Sequence, residues 1–167
     1  MKYCKKTTQA HHISIAHPDC ICAIRDIIKR EGGCELVATF NNDKVINLDN
    51  IEKCLAKRER REQRPTMDIT FGVSDCSKNC QMVLVDFKYR HKSFRGISSI
   101  DLTGKVQKSI EILGCMPRIS SPYLFVVQSD LVQQAQNRIA RLFQNSPSKR
   151  QKYLAIDNSY LASFWAN

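Results

Sequence analysis

The chain has 167 residues, and its 26 Lys and Arg against 16 Asp and Glu give a formal net charge of +10. This length suits a single folded domain whose core needs no disulfide or metal. No run approaches the ~20 apolar residues of a membrane helix, and no apolar stretch follows the basic start, so we expect a cytoplasmic protein with no secretory signal and no membrane partner. The eight cysteines are then expected to stay reduced. The basic charge favours a polyanionic partner such as nucleic acid over a membrane protein or an exported scaffold.

Residues 1–49 are predicted to form an extension of one helix and two short strands. Apolar residues at helical spacing predict the helix over 20–30, after a start at His17-Pro18-Asp19. The two strands are predicted at 35–40 and 45–48.

A β-hairpin is the clearest feature of the middle of the chain. Asp49 or Asn50 is expected to cap a helix that ends near Arg61. Apolar and polar residues then alternate along 67–74 and again along 82–88, on either side of a polar turn. This pattern is typical of two antiparallel strands with one covered face.

Two helices and one strand complete the predicted core, which spans residues 50–143. The helices are expected at 101–113 and 130–143, and a nearly continuous apolar run at 123–127 predicts a buried strand between them. A right-handed crossover through the first of these helices would make that strand parallel to the second hairpin strand. We therefore predict an α/β fold, with helices on the faces of a mixed sheet and a C-terminal tail, 144–167, that docks through a short helix.

The predicted hairpin carries three side chains that could bind a metal or take part in catalysis. Asp86 and Lys88 share one face of their strand because strand side chains alternate. Asp68 lies on the partner strand, and a register that sets it opposite either Asp86 or Lys88 puts all three side chains on one face. Two carboxylates and the Phe87 carbonyl could bind Mg²⁺ or Mn²⁺, while the lysine could position a water or stabilise charge on a phosphate.

Asp68 followed by Asp86-Phe87-Lys88 resembles the signature of PD-(D/E)XK nucleases. The resemblance covers roughly residues 50–143 and implies a restriction endonuclease-like core of helix, three strands, helix and strand. It implies that Asp68 and Asp86 bind the metal and that Lys88 is the catalytic lysine. Several family members add a glutamate from the preceding helix, for which the candidates are Glu52, Glu59 and Glu62. Thr66-Met67 precedes Asp68, where the signature would have proline.

Basic residues close to this signature are candidates for nucleic-acid binding. They follow the second hairpin strand or lie on the next helix: Arg90, Lys92, Arg95, Lys105 and Lys108. Each of these residues could instead be an ordinary charged side chain exposed to solvent. Gln128 ends the 123–127 strand, where it could point to the site or simply cap the strand.

Three functions remain open from the sequence. The first is a Mg²⁺- or Mn²⁺-dependent nuclease acting on DNA, possible as a homodimer because many nucleases of this kind dimerise. The second is a non-catalytic nucleic-acid-binding domain with the same fold, and the third is an interaction domain with an acidic protein partner. Under the second and third, Asp68, Asp86 and Lys88 would be a cross-strand charge cluster worth ~0.2–1 kcal/mol.

A zinc site is a minor alternative because no ligand spacing supports it; its candidates would be His11, His12, His17, Cys20 and Cys22.

Overall fold

The computed structural model describes residues 1–33, 40 and 42–166 of the chain. The strands are β1 Lys2–Tyr3, β2 Ile21–Ala23, β3 Lys44–Asn47, β4 Ile69–Ser74, β5 Cys80–Phe87, β6 Arg118–Ile119, β7 Tyr123–Val126 and β8 Tyr153–Ile156. The α-helices are α1 Lys5–Ala10, α2 His12–Ala16, α3 Ile24–Arg30, α4 Leu48–Glu59, α5 Ser99–Leu113, α6 Val132–Leu142, α7 Pro147–Arg150 and α8 Asn158–Ala162. The described residues thus form a mixed α/β fold.

One mixed sheet joins all of these strands in the order β2-β3-β4-β5-β7-β8, with β1 beside β4 and β6 beside β5. β4 and β5 pair antiparallel up to Ser74 and Cys80, and β5 pairs parallel with β7. The polar turn between β4 and β5 is closed by Asp75, whose carboxylate accepts a hydrogen bond of 2.9 Å from the Asn79 N–H. The predicted hairpin and the parallel crossover through α5 are both confirmed.

The sheet separates two apolar layers, and the alternation along β5 explains why. Met82 and Leu84 pack in the layer that contains α5 and α6, whereas Val83 and Val85 pack in the layer that contains α3 and α8. Burying each of these side chains stabilises the fold by roughly 1.5–3 kcal/mol. Asp86 continues the Met82 and Leu84 series, so its side chain lies on a covered face, as predicted from the sequence.

The predicted helix over 20–30 is wrong in its first part. Residues Ile21–Ala23 form β2, which pairs antiparallel with β3, and the helix begins only at Ile24. Pairing with a neighbouring strand overrides the helical spacing of these apolar residues, because strand preference depends on the partner available. The predicted strand at 35–40 lies outside the described residues except for Phe40, which is buried.

The ends of the other helices differ slightly from the predictions. Asn47, rather than Asp49 or Asn50, caps α4 by accepting a hydrogen bond of 2.9 Å from the Asn50 N–H. The last core helix is preceded by a 3₁₀ turn at Ser129–Leu131, and the tail adds the edge strand β8 as well as the predicted short helix, α8. None of the helices in the described ranges combines the length and apolar character needed to cross a membrane.

Candidate active site

Asp68 and Asp86 lie side by side on the central hairpin. Ile69 pairs with Val85, so one step further along the same register sets Asp68 opposite Asp86. This is one of the two registers that bring the charged side chains onto one face. The first turn of α4 reaches the same place, because β3 pairs with β4 and the Leu48 N–H donates to the Asp68 carbonyl at 3.0 Å.

The Asp68 carboxylate is 7% exposed and accepts a hydrogen bond of 2.5 Å from the Phe87 N–H. Burial and the negative charge of Asp86 raise the pKa of Asp68 to about 8. The Phe87 N–H thus fixes the position of this carboxyl, whereas the ligand role of the Phe87 carbonyl stays a prediction.

The Asp86 carboxylate is fully buried and is contacted by two lysines. Lys105 donates a hydrogen bond of 2.6 Å to Oδ1 from the middle of α5. The Lys88 ammonium lies 2.5 Å from Oδ2, in ion-pair contact but off the line of a hydrogen bond. The structure therefore brings together Asp68, Asp86 and Lys88 and adds Lys105, which the sequence placed only in a peripheral basic patch.

Asp49 is a third carboxylate at this place, and it was missed as a site residue. It lies in the first turn of α4 and accepts a hydrogen bond of 2.9 Å from the Thr66 hydroxyl. Burial raises the pKa of Asp49, and the charge of Asp86 adds to the effect while Lys105 opposes it. The available signal was its position two residues after the strand that pairs with β4, although the same position also suits a helix cap.

The three candidate glutamates are placed differently. Glu52 is fully buried, but Arg61 and Arg64 hold both of its carboxylate oxygens. Burial alone would raise the pKa of Glu52, and the hydrogen bonds from Arg61 and Arg64 outweigh it and lower the pKa to about 2. Glu59 is paired with Arg61 at the exposed end of α4, and Glu62 is exposed. A structural role for Glu52 is therefore better supported than a metal-ligand role.

An open cavity of about 270 Å³ lies next to the carboxylates. Lys88 and Lys105, the two lysines that contact Asp86, line it together with His91 and Gly96. Burial lowers the pKa of His91, and the charge of Lys88 lowers it further. A phosphate group in this cavity would meet Lys88 and Lys105 together with the carboxylate of Asp101, and the buried site aspartates do not line it.

The other basic candidates lie outside this cavity. Arg90 donates to the Arg30 carbonyl, and Lys108 pairs with Glu111 at 2.9 Å on the exposed side of α5. Lys92 and Arg95 are exposed on the loop that leads to the cavity. Gln128 donates a hydrogen bond of 3.1 Å to the Tyr89 carbonyl and so ties the end of β7 to the residue after Lys88.

The described oxygen donors at the site include the adjacent pair Asp68 and Asp86, but no group of three that could hold a metal. Within residues 1–33, 40 and 42–166, no group of three or more His, Cys, Asp or Glu side chains has the arrangement of a metal site. This absence applies both to the carboxylates of the candidate site and to the His and Cys residues named as zinc candidates near the N-terminus. Burial is the main cause that raises the pKa of both Asp49 and Asp68, and the negative charge of Asp86 adds to both shifts.

Comparison with known proteins adds no identification. No family model matches the chain, and no curated protein or solved structure matches it either. The functional argument therefore depends on the residues and geometry of the site.

Proposed function

We propose that this chain is a Mg²⁺- or Mn²⁺-dependent phosphodiesterase that hydrolyses nucleic acid, with DNA as the expected substrate and a restriction endonuclease-like core. The observation that carries the proposal is the meeting of Asp68 and Asp86 on adjacent strands, beside two lysines and an open cavity. The order α4, β4, β5, α5, β6, β7 supports such a core only in outline, because two strands separate the helices where the resemblance implies three.

The donor set at the site fits a hard divalent cation. Magnesium prefers oxygen ligands and commonly binds one or two carboxylates while it keeps several waters. Asp68 and Asp86 would hold the cation. Asp49 would assist them, because its charge interacts with that of Asp68. Burial, with the added charge of Asp86, raises the pKa of Asp68, and a cation bound between the two carboxylates would favour the ionised form of Asp68.

Each residue then has a defined task in phosphodiester hydrolysis. The bound cation would supply Lewis-acid polarisation of the phosphate. Lys88 would orient the attacking water or stabilise the negative charge that develops on the phosphate oxygens. The Phe87 N–H keeps the Asp68 carboxyl in place, and exposed Lys92 and Arg95 contact the backbone of the nucleic acid on either side of the scissile bond.

Asp68→Asn is the sharpest test of this activity. The amide keeps the size of the side chain and an oxygen for the Phe87 N–H, but it removes the negative charge. Cleavage of plasmid and single-stranded DNA in Mg²⁺ or Mn²⁺ should fall on the order of 10²-fold or more. The matched control is Asp26→Asn, because Asp26 is exposed on α3 in the opposite layer. Wild-type protein that cuts no substrate with either metal, or Asp68→Asn protein that cuts normally, would overturn the proposal.

A non-catalytic nucleic-acid-binding domain is the second candidate. The observation that favours it is the pairing of both Lys88 and Lys105 with Asp86, which already balances much of the negative charge. Such a domain would bind nucleic acid with a strong salt dependence and without any need for a divalent metal. Binding that is unchanged in EDTA, together with no cleavage in either metal, would favour it over the phosphodiesterase.

A further inference from the structure

Lys105 occupies the centre of the carboxylate cluster. Its ammonium donates to Asp86 Oδ1 at 2.6 Å. Burial alone would lower the pKa of Lys105, but the charges of Asp86, Asp68 and Asp49 outweigh burial and raise it. Lys88 contacts the same carboxylate from the strand side, at an angle that makes no hydrogen bond. Lys105 is therefore in direct contact with Asp86 and within electrostatic reach of Asp68 and Asp49.

The position of Lys105 on α5 directs it at the sheet instead of at solvent. It lies on the same helix face as buried Leu102 and Ser109, at spacings of three and four residues. Ser109 fixes this face against the hairpin, because its hydroxyl accepts from the Met67 N–H at 2.8 Å and donates to the Lys105 carbonyl at 2.8 Å. Lys108, less than one turn further on, instead pairs with exposed Glu111.

A lysine ammonium and a divalent cation compete for the same carboxylate oxygens. With Lys105 hydrogen-bonded to Asp86 Oδ1, that oxygen is not free to coordinate a metal. The Lys105 side chain also lines the 270 Å³ cavity and keeps 24% of its surface exposed, so it has space to move away from Asp86. Its movement into the cavity would bring the ammonium to the place where a substrate phosphate would lie.

We propose that the Lys105 ammonium occupies the cluster of Asp49, Asp68 and Asp86 when no metal is bound, and that a divalent metal binds there by displacing it. This inference rests on the phosphodiesterase function. The displaced ammonium then pairs with the substrate phosphate. Metal and nucleic acid consequently bind with positive cooperativity, since each stabilises the same displaced position of Lys105.

Lys105→Met tests the displacement, with Lys108→Met as the matched control on the same helix. Calorimetric titration with Mn²⁺ in the absence of nucleic acid should show affinity on the order of tenfold or more tighter for Lys105→Met than for the wild type. In EDTA the same variant should melt at a lower temperature than the wild type, and Mn²⁺ should restore its melting temperature. Lys108→Met should match the wild type in both measurements. Lys105→Gln, which is neutral but can still donate to Asp86, repeats the test if the methionine variant does not fold.

Equal Mn²⁺ affinity in Lys105→Met, Lys105→Gln and wild type would overturn the displacement, and so would an absence of Mn²⁺ binding in all three. These outcomes are distinguishable from a failure of the phosphodiesterase function. Tighter Mn²⁺ binding by the variants without any cleavage by the wild type would leave the displacement standing and reject the function. Cleavage by the wild type, together with unchanged Mn²⁺ affinities of the variants, would reject the displacement and leave the function standing.

Discussion

Glu52 provides a stability prediction whose size follows from the structure. Its buried carboxylate accepts hydrogen bonds from the Arg61 and Arg64 side chains and, at 2.8 Å, from the Arg64 N–H. These contacts fasten the segment that leads from the end of α4 to Asp68. The hydrogen bonds lower the pKa of Glu52 from 4.5 to about 2 in spite of burial.

That difference in pKa corresponds to about 3 kcal/mol of folding free energy at neutral pH, at about 1.36 kcal/mol for each pKa unit. The guanidinium groups of Arg61 and Arg64 are 25% and 35% exposed, so solvent screening reduces the expected value to about 2 kcal/mol. Because the pKa of Glu52 is lower in the folded than in the unfolded protein, this stability is present above pH 4.5. It is lost as the pH falls through about 2.

Urea unfolding of Glu52→Gln and wild type measures this contribution. At pH 7 the variant should be less stable by about 2 kcal/mol, and the difference should shrink as the pH falls from 4.5 towards 2. Glu59→Gln is the control, because Glu59 is exposed and should have little effect. Equal stability at pH 7, or a difference that does not change with pH, would refute the reasoning. A stable Glu52→Gln protein that has lost Mn²⁺ binding would instead make Glu52 a metal ligand.

Three further predictions concern the loop, the contact between β4 and α1, and helix α5. Replacing Lys92 and Arg95 together with alanine should lower the salt slope of DNA binding by about 2 in log–log form, whereas Arg25 and Lys29 on α3 should be dispensable; an unchanged slope would place the DNA elsewhere. Gly72→Ala should destabilise the fold by about 1–3 kcal/mol in urea unfolding, because the new Cβ would lie 2.5 Å from the Thr7 Cβ of α1. Gly104→Ala, a helical position with nothing within 4 Å of the new Cβ, should stabilise it by roughly 0.5–1 kcal/mol; a loss of stability there would contradict the description of α5.

The hairpin was predictable because its information is local. Alternation along 67–74 and 82–88 identifies the strands, whereas the turn does not by itself fix the register, which the structure continues to Asp68 opposite Asp86. The helix over Ser99–Leu113 was predictable for the same reason, with Ser98 as its cap and Gly114, at φ 73°, at its end. Local patterns therefore located the candidate site.

The roles of Asp49 and Lys105 depend on contacts between distant elements. Asp49 reaches the site because β3 pairs with β4, and the residues next to Asp49 in the sequence do not indicate this pairing. Lys105 shares the inward face of α5 with Leu102 and Ser109, but the sequence does not show that this face covers Asp86. The short strands β1, β2 and β8 were missed for a similar reason, since each depends on the strand it pairs with.

Direct location of a cation would test the central claim of this account. Crystals of the wild-type protein grown with Mn²⁺ and a non-cleavable DNA oligonucleotide should give an anomalous difference peak within about 2.5 Å of carboxylate oxygens of both Asp68 and Asp86. The account also predicts that the Lys105 ammonium has left Asp86 for the phosphate. No peak between the two aspartates at saturating Mn²⁺, with both lysines still in contact with Asp86, would contradict it.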